Sequence, residues 1–319
     1  MELDQWLGIE IRHLAALQAV AEERTFRGAA VRLGYTQSAI SQQIATLERV
    51  VGAKLVERPG GPRAVSLTET GELVLRHAEA IVARLKAAQA DVAAMVDGGS
   101  GALRVGTFQS VGARLLPELV RRFRDEWPDH QVALIESASD NDLLASIERG
   151  DLDLSFVMPP LPEGPYSVAE LMADPWVLLA PADSALAQSD CPVSLRDAAE
   201  LPLIGSRTCR SREQVHALFA ARALEPNYVF HSDENNTVHG LVAAGAGIAL
   251  IPKLAVDPND ERVAMVELGP KVPPRQIGLA WHRDRYRSPA AVAFVDLARR
   301  LCAELVDEGR EDVAIASSV

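Results

Sequence analysis

Long hydrophobic runs are missing from this chain. The first dozen residues, MELDQWLGIEIR, carry three acids and no run of seven or more apolar side chains, which is not the pattern of a secretory leader. Nothing elsewhere approaches the ~18 uninterrupted apolar residues of a membrane span, so the expected location is the cytoplasm. Cysteine is scarce as well. Cys191, Cys209 and Cys302 form no CxxC pair and have no histidine at zinc-ligand spacing, so neither a disulfide framework nor a bound metal is expected. The histidines fall in no motif, and no Ser/His/Asp or Cys/His set can be assembled. Catalytic residues and cofactors are therefore expected to be none, and the chain is not expected to be an enzyme.

Positive charge is also in deficit, since the formal net charge is -12. That balance disfavours nonspecific nucleic-acid binding by the protein as a whole, but net charge averages over domains. Between Arg12 and Ser66 there are eight basic residues and four acids, a local charge of +4. The start is basic on an acidic protein.

That basic segment has a helical rhythm. Leu14, Leu17 and Ala21 recur at helical spacing, as do Phe26, Ala29, Ala30 and Leu33. Gly34 and Tyr35 break the pattern, Thr36 is placed to cap, and Ile40, Ile44 and Leu47 mark the apolar stripe of a third helix. With that stripe turned inward, Gln37, Ser38, Ser41, Gln42 and Ala45 point outward together. Glutamine pairs bidentately with adenine, and serine meets a base edge or a phosphate. A helix presenting its first residues outward after a glycine turn is how a helix-turn-helix enters a major groove. Arg32, Lys54, Arg58 and Arg63 surround it as candidates for flanking phosphates. "GAKLVERPGGPRAVSLTETG" then supplies glycine and proline breaks and a short alternating run at 64–67, which suits a β-wing.

From Thr70 to Val96 there is no proline and only one glycine, predicting a helix about 40 Å long at ~1.5 Å per residue. Val74, Ala78, Ile81, Leu85, Ala88, Val92 and Met95 are spaced alternately four and three apart, an a/d seam that needs a partner helix. Residues 97–101, DGGSG, end it as a hinge. Strands are then expected at 102–108, 131–136 and 152–157, with helices at 115–127 and 143–149, a βαβαβ order that implies a parallel sheet. After MPPLPEGP, strands at 176–180, 203–205, 228–231 and 248–251 alternate with helices near 214–222 and 238–244 to give a second α/β lobe. A helix at 297–305 closes the fold, and 307–319 reads as a frayed tail.

"FRGAAVRLGYTQSAISQQIATLERVVGAKLVER" followed by "VSLTETG" resembles the winged helix-turn-helix of the LysR-type transcriptional regulators. The shared elements are AA and L on helix two, TQ-x-A-I-S-x-Q-I on helix three, LE, a G-x-x-L-x-x-R turn and L-T-x-x-G. The likeness is dense over 12–73 and looser beyond, through "RGDLDLSFV" and "VAAGAGIALIP". Thr25 replaces the usual serine, Ser38 a frequent proline, and Val56 the usual phenylalanine. The resemblance implies a multidomain chain: a winged helix-turn-helix DNA-binding domain (1–69), a linker and dimerisation helix (70–97), and a two-lobed α/β effector domain similar to periplasmic binding proteins (98–306). It also implies double-stranded DNA, a small-molecule effector and a homodimer or homotetramer as partners, with base contacts at Gln37, Ser38, Ser41 and Gln42 and Arg58 at the wing. The rival reading is a cytoplasmic small-molecule binding protein whose N-terminal helices make partner contacts.

The effector cleft is expected between the lobes, at the carboxyl ends of strands. Gln109 and Ser110, Ser137 and Ser139, Ser206, Arg207 and Thr208, and Asn236 all sit in turns after strands or at helix starts. Each alone reads as a cap; together they suggest a site for a small anion, most simply a carboxylate paired with Arg207 and Ser110. Flanking Arg207 and Arg210 would lower the Cys209 pKa, as a redox sensor needs, but its spacing from Cys191 does not match the family's peroxide sensors. "AAGAGIAL" is not a dinucleotide loop, because its glycines precede a strand.

Overall fold

The computed structural model describes residues 6–57, 64–96, 102–189, 191–208, 210–269 and 272–316. Arg58, Arg63 and Cys209 lie outside the described residues, so the readings placed on them are not taken further. The chain divides into two compact units, Met1–Ala90 and Asp91–Val319.

In the first unit α1 (Ile11–Glu23), α2 (Phe26–Leu33) and α3 (Gln37–Val51) pack around Leu17, Val20, Ala29, Ile40, Ile44 and Leu47, all buried. The turns follow local chemistry. Thr25 caps α2 by accepting from the Gly28 amide at 2.9 Å, so the hydroxyl serves as the family's serine would. Thr36 does the same for α3 through Ala39. Gly34 sits at φ +70 between them, a left-handed conformation that glycine adopts without a Cβ penalty. β1 (Val56–Glu57) and β2 (Ser66–Leu67) form the expected antiparallel wing. The long helix is α4 (Glu69–Val96). Its first two seam residues, Val74 and Ala78, are buried in this unit's own core and are not free for a partner. Ile81 and Leu85 are 46% and 51% exposed.

The second unit holds two lobes. In lobe one β3 (Ala102–Thr107) runs parallel to β4 (Gln131–Glu136) and β5 (Leu154–Val157), as the βαβαβ pattern requires. A short helix not expected from the sequence, α5 (Gln109–Arg114), precedes the one expected at 115–127, which is α6 (Leu116–Glu126), with Pro117 in its first turn, where a missing N–H costs nothing. α7 (Asp140–Arg149) precedes β5. Two strands absent from the sequence reading complete the sheet. β6 (Tyr166–Asp174) and β12 (Arg275–His282) pair antiparallel, and β12 also pairs with β5, giving the order β4-β3-β5-β12-β6. Phe123, Phe156 and Phe294 centre this lobe's core.

Lobe two contains β7 (Trp176–Pro181) between β10 (Ala249–Pro252) and β11 (Val263–Glu267), both antiparallel to it. β8 (Leu203–Gly205) pairs in parallel with β9 (Tyr228–His231) and touches Ile248 through an isolated bridge. Three helices, α8 (Leu195–Glu200), α9 (Arg210–Ala220) and α10 (Asn235–Ala243), pack on these strands. The chain crosses between lobes twice, at Pro175 between β6 and β7 and between β11 and β12. The last helix, α11 (Pro289–Ala316), begins before and runs well past the expected 297–305, so residues up to Ala316 are helical where a frayed tail was expected. Among the described residues no helix is long and apolar enough to cross a membrane, and no group of three or more metal-ligating side chains occurs.

Candidate nucleic-acid interface and ligand cavity

The polar start of α3 faces out as its stripe dictates. Ile40, Ile44 and Leu47 are fully buried, while Gln37, Ser38 and Gln42 are exposed and Ser41 is half-buried on the same side. Ser38 Oγ lies 3.0 Å from Thr36 Oγ1, so its hydroxyl is partly engaged by the cap. The four candidate base readers therefore share one face. The phosphate candidates fare less evenly. Arg32 is ion-paired with Glu22 and lies 3.6 Å from Glu23, which neutralises much of the charge expected of it. Lys54 holds Glu48 Oε2 at 3.0 Å yet is 79% exposed, leaving its ammonium accessible.

Behind this face lies a contact that the sequence reading missed. Glu48 is buried and accepts from the amides of Leu55 at 3.0 Å and Val56 at 3.4 Å. Burial raises its carboxyl pKa, but Lys54 and those two amides outweigh that and hold it below the usual value. The same segment is gripped from the other side. Thr68 Oγ1 donates to Lys54 O at 2.7 Å and accepts from Gly71 N at 2.9 Å, and the Thr68 amide donates to Leu55 O at 3.0 Å. A Cβ at Gly71 would stand 2.0 Å from Leu55 O. The LE and T-x-x-G elements thus clasp residues 54–56, the lead into the wing.

Between the two lobes of the second unit is a cavity of about 90 Å³. Gln109, Ser110 and Ser206 line it, as expected; Ser137, Ser139, Arg207, Thr208 and Asn236 do not. The reasons are local. Ser139 caps α7 through Asp142 N, and Ser137 Oγ accepts from Ser139 N. The Arg207 and Thr208 amides and the Thr208 hydroxyl all donate to Asp233, which folds their turn onto itself. Burial raises the Asp233 pKa, and those three donors bring it below the ordinary value. Asn236 is exposed, and its neighbour Asn235 lines the cavity instead. The helix ends expected to face an anion are also occupied: Gln109 Oε1 accepts from Asn235 N at 3.0 Å across the cleft, while Gln109 Nε2 donates to Glu234 at 2.9 Å.

What the cavity has in their place is Arg275, 4% exposed, at the start of β12. Its Nε and Nη2 hold Asp174 Oδ2 at 2.8 and 2.7 Å. Nη2 also donates to Ser110 Oγ at 2.7 Å, and Nη1 to Ser211 Oγ at 3.3 Å. Phe108 lies under the guanidinium, 5.5 Å from ring centroid to Cζ. Burial raises the Asp174 pKa and Arg275 pulls it back. Ser110 belongs to lobe one and Ser211 to lobe two, so a single guanidinium links the lobes. Asp174 ends β6 and Arg275 begins β12, so their pair also ties the two crossover strands. Nearby, burial pushes the Asp140 carboxyl up to about 6 against the pull of Arg210, whose Nε is 3.5 Å away. Neither Arg275 nor Asp174 had a signal at the sequence level, because β6 and β12 themselves went unread.

Comparison with known proteins agrees with both halves. Residues 11–72 match the family described as bacterial regulatory helix-turn-helix protein, lysR family, and residues 96–303 match the LysR substrate binding domain. The Escherichia coli K12 DNA-binding transcriptional dual regulator OxyR is 30% identical over 98% of this chain and 100% of its own. The crystal structure of HinK, a LysR family transcriptional regulator from Pseudomonas aeruginosa, aligns with TM-score 0.60 and 25% identity over 93% of this chain and 100% of that one. Full-length CbnR complexed with its target DNA aligns with TM-score 0.55 and 23% identity, over 92% and 99% of the respective chains.

Proposed function

Because the chain belongs to the LysR family, it is a DNA-binding transcriptional regulator with an effector-binding domain, and we propose that α3 is its base-reading element. Gln37, Ser38, Ser41 and Gln42 enter a major groove, with Lys54 on a flanking phosphate. The observation that carries this is the division of α3 into a fully buried apolar stripe and an outward amide and hydroxyl face. CbnR, the same fold, is seen bound to its target DNA, which supports the assignment. Two copies pair through the exposed part of the α4 seam, since each half-site alone offers too few contacts. A protein that reads genomic DNA works in the cytoplasm, and nothing in its cavity suggests catalysis.

The effector enters the cavity between the lobes. Its acceptor group meets the hydroxyls of Ser110 and Ser211, whose oxygens are already held by Arg275 and whose hydrogens are therefore available to donate. Occupancy there bears on Arg275–Asp174, and so on the crossover strands about which the lobes turn. Activity at the operator then depends on effector. The test is selection of bound sequences from a random DNA pool, with wild type, Ser41→Ala and Gln42→Ala. Each substitution should relax preference at the bases it reads, by on the order of 1 to 3 kcal/mol. A uniform loss on every sequence would remove α3 from the role of reader.

A further inference from the structure

We propose that Asp140 and Arg210 form a proton-controlled clasp between the two lobes, so that acidification is a second input to the regulator. With Asp140 ionised, Arg210 is drawn onto it and α7 and α9 are held together; with Asp140 protonated, Arg210 rests on the Pro160 carbonyl and the lobes turn more freely. The clasp stands beside the cavity and does not depend on what enters it.

Asp140 opens α7 in lobe one, and Arg210 opens α9 in lobe two. The Asp140 side chain is 5% exposed, and its Oδ2 lies 3.5 Å from Arg210 Nε. That separation is short enough for an ion pair but leaves the hydrogen bond unmade, since a charge-assisted N–H···O contact closes to about 2.7–2.9 Å. Neither Asp140 oxygen has a hydrogen-bond partner, and Arg210 Nε has none. The guanidinium instead spends Nη2 on the Pro160 carbonyl. Gln214 Oε1, one turn further along α9, is also buried and unpaired.

A second buried pair in the same domain shows what a static one looks like. Asp174 is 1% exposed, yet Arg275 holds it at 2.7 and 2.8 Å and the Leu254 amide donates to it at 3.1 Å. That pair ties the crossover strands about which the lobes turn, whereas Asp140 and Arg210 ride on helices of different lobes, so their separation changes with the turn. A buried carboxylate and guanidinium left apart each keep a desolvation cost that closing the pair would offset. The open pair therefore suits the protonated acid. Burial raises the Asp140 pKa to about 6, with Glu213 of α9 adding to the rise and Arg210, the Met158 amide dipole and Arg275 of β12 opposing it. Such a group is about one tenth ionised at pH 5 and about nine tenths at pH 7. Met158, beside Asp140, and Ser211, next to Arg210, line the cavity, so the clasp acts on its wall.

The experiment is fluorescence energy transfer in the full chain, titrated with acid at fixed ionic strength, between dyes on Arg149→Cys at the far end of α7 and Ala220→Cys at the far end of α9, both exposed positions. Cys191 and Cys209 are replaced by serine, while Cys302 is buried, its thiol pushed up to about 11, and does not label. Labelled chains are diluted into unlabelled protein so that only distances within one chain are read. Transfer should rise with pH in a single one-proton step centred at about 6 or just below, because closing the pair favours the ionised form. Asp140→Asn and Arg210→Gln should each abolish the step and hold the wild-type value of low pH throughout. Glu213→Gln removes a like charge, and should keep the step but move its midpoint to lower pH, which a merely structural part for Asp140 would not produce. If Asp140→Asn does not fold, Arg210→Gln and Glu213→Gln decide the matter. A flat wild-type profile, transfer that falls as pH rises, a step that survives Asp140→Asn or Arg210→Gln, or a midpoint unmoved by Glu213→Gln overturns the clasp.

Discussion

Replacing Glu48 separates two explanations for how the wing is held. One is the ion pair with Lys54; the other is acceptance from the Leu55 and Val56 amides. Lys54 is 79% exposed, so its pair with Glu48 is screened and worth about 0 to 1 kcal/mol. The amides are buried, and a hydrogen bond to a charged acceptor contributes about 1.5 to 3 kcal/mol. The Leu55 bond at 3.0 Å should dominate over that of Val56 at 3.4 Å. Glu48→Ala leaves both amides without an acceptor and should cost about 2 to 4 kcal/mol locally. Glu48→Gln keeps one oxygen but loses the charge, and should cost about 1 to 2 kcal/mol. Lys54→Ala should cost under about 0.5 kcal/mol. Hydrogen exchange of a peptide spanning 54–57 measures each directly, since it reports local opening and not global melting. Acid adds a second reading. A carboxyl whose folded pKa is depressed contributes stability that is complete above its unfolded value of 4.5 and is lost as pH falls through the folded value. Protection at Leu55 should decline in that window in wild type and not in Glu48→Gln. Equal loss in Lys54→Ala and Glu48→Ala would show that the ion pair, and not the amides, holds the wing.

Three further outcomes follow from other parts of the molecule. Gly71→Ala places a Cβ 2.0 Å from the Leu55 carbonyl, a backbone clash that no rotamer relieves; it should cost about 1 to 3 kcal/mol in urea denaturation of the N-terminal unit and weaken DNA binding. Ile81→Glu with Leu85→Lys should split the dimer in sedimentation and abolish binding to a two-half-site operator, and a variant that stays dimeric and bound would mean the seam has no partner. Asp140, raised to about 6 from 3.8, favours the folded state only while protonated, so its contribution is present at low pH and lost as pH rises through about 6. Wild type should therefore lose on the order of 2 to 3 kcal/mol at this group between pH 4 and 8, and Asp140→Asn should flatten that slope in calorimetric melts of the effector domain.

Residues 11–57 were legible because their signals are local. A threonine before a helix, a glycine at a left-handed turn and an apolar stripe four and three apart act within one or two helical turns, so no distant partner is needed to interpret them. The same holds for β3, β4, β5 and β8, short apolar runs bounded by turn residues and long helices. It failed for β6 and β12, whose pattern YSVAELMAD and RQIGLAWH mixes polar and apolar residues because they lie between a buried face and a half-covered one, and because their partner strand is more than a hundred positions away. The candidate cavity shows the same division. Gln109, Ser110 and Ser206 were found by their position after strands, whereas Arg207, Thr208, Ser137 and Ser139 share that position but satisfy their own turns. Which polar group is spent locally and which is left for a ligand depends on neighbours such as Asp233 and Gln109 that sequence spacing does not reveal. The sequence by itself determined the helix-turn-helix with its outward α3 face and the short apolar strands of each lobe, since each follows from short-range periodicity and chain chemistry, while the family was read from the resemblance of its motifs. Only the tertiary structure decided that Arg275, Asp174, Ser110 and Ser211 meet, because a buried charge is placed by the pairing of strands from both ends of the domain, and burial and partnership are properties of that pairing and not of any one segment.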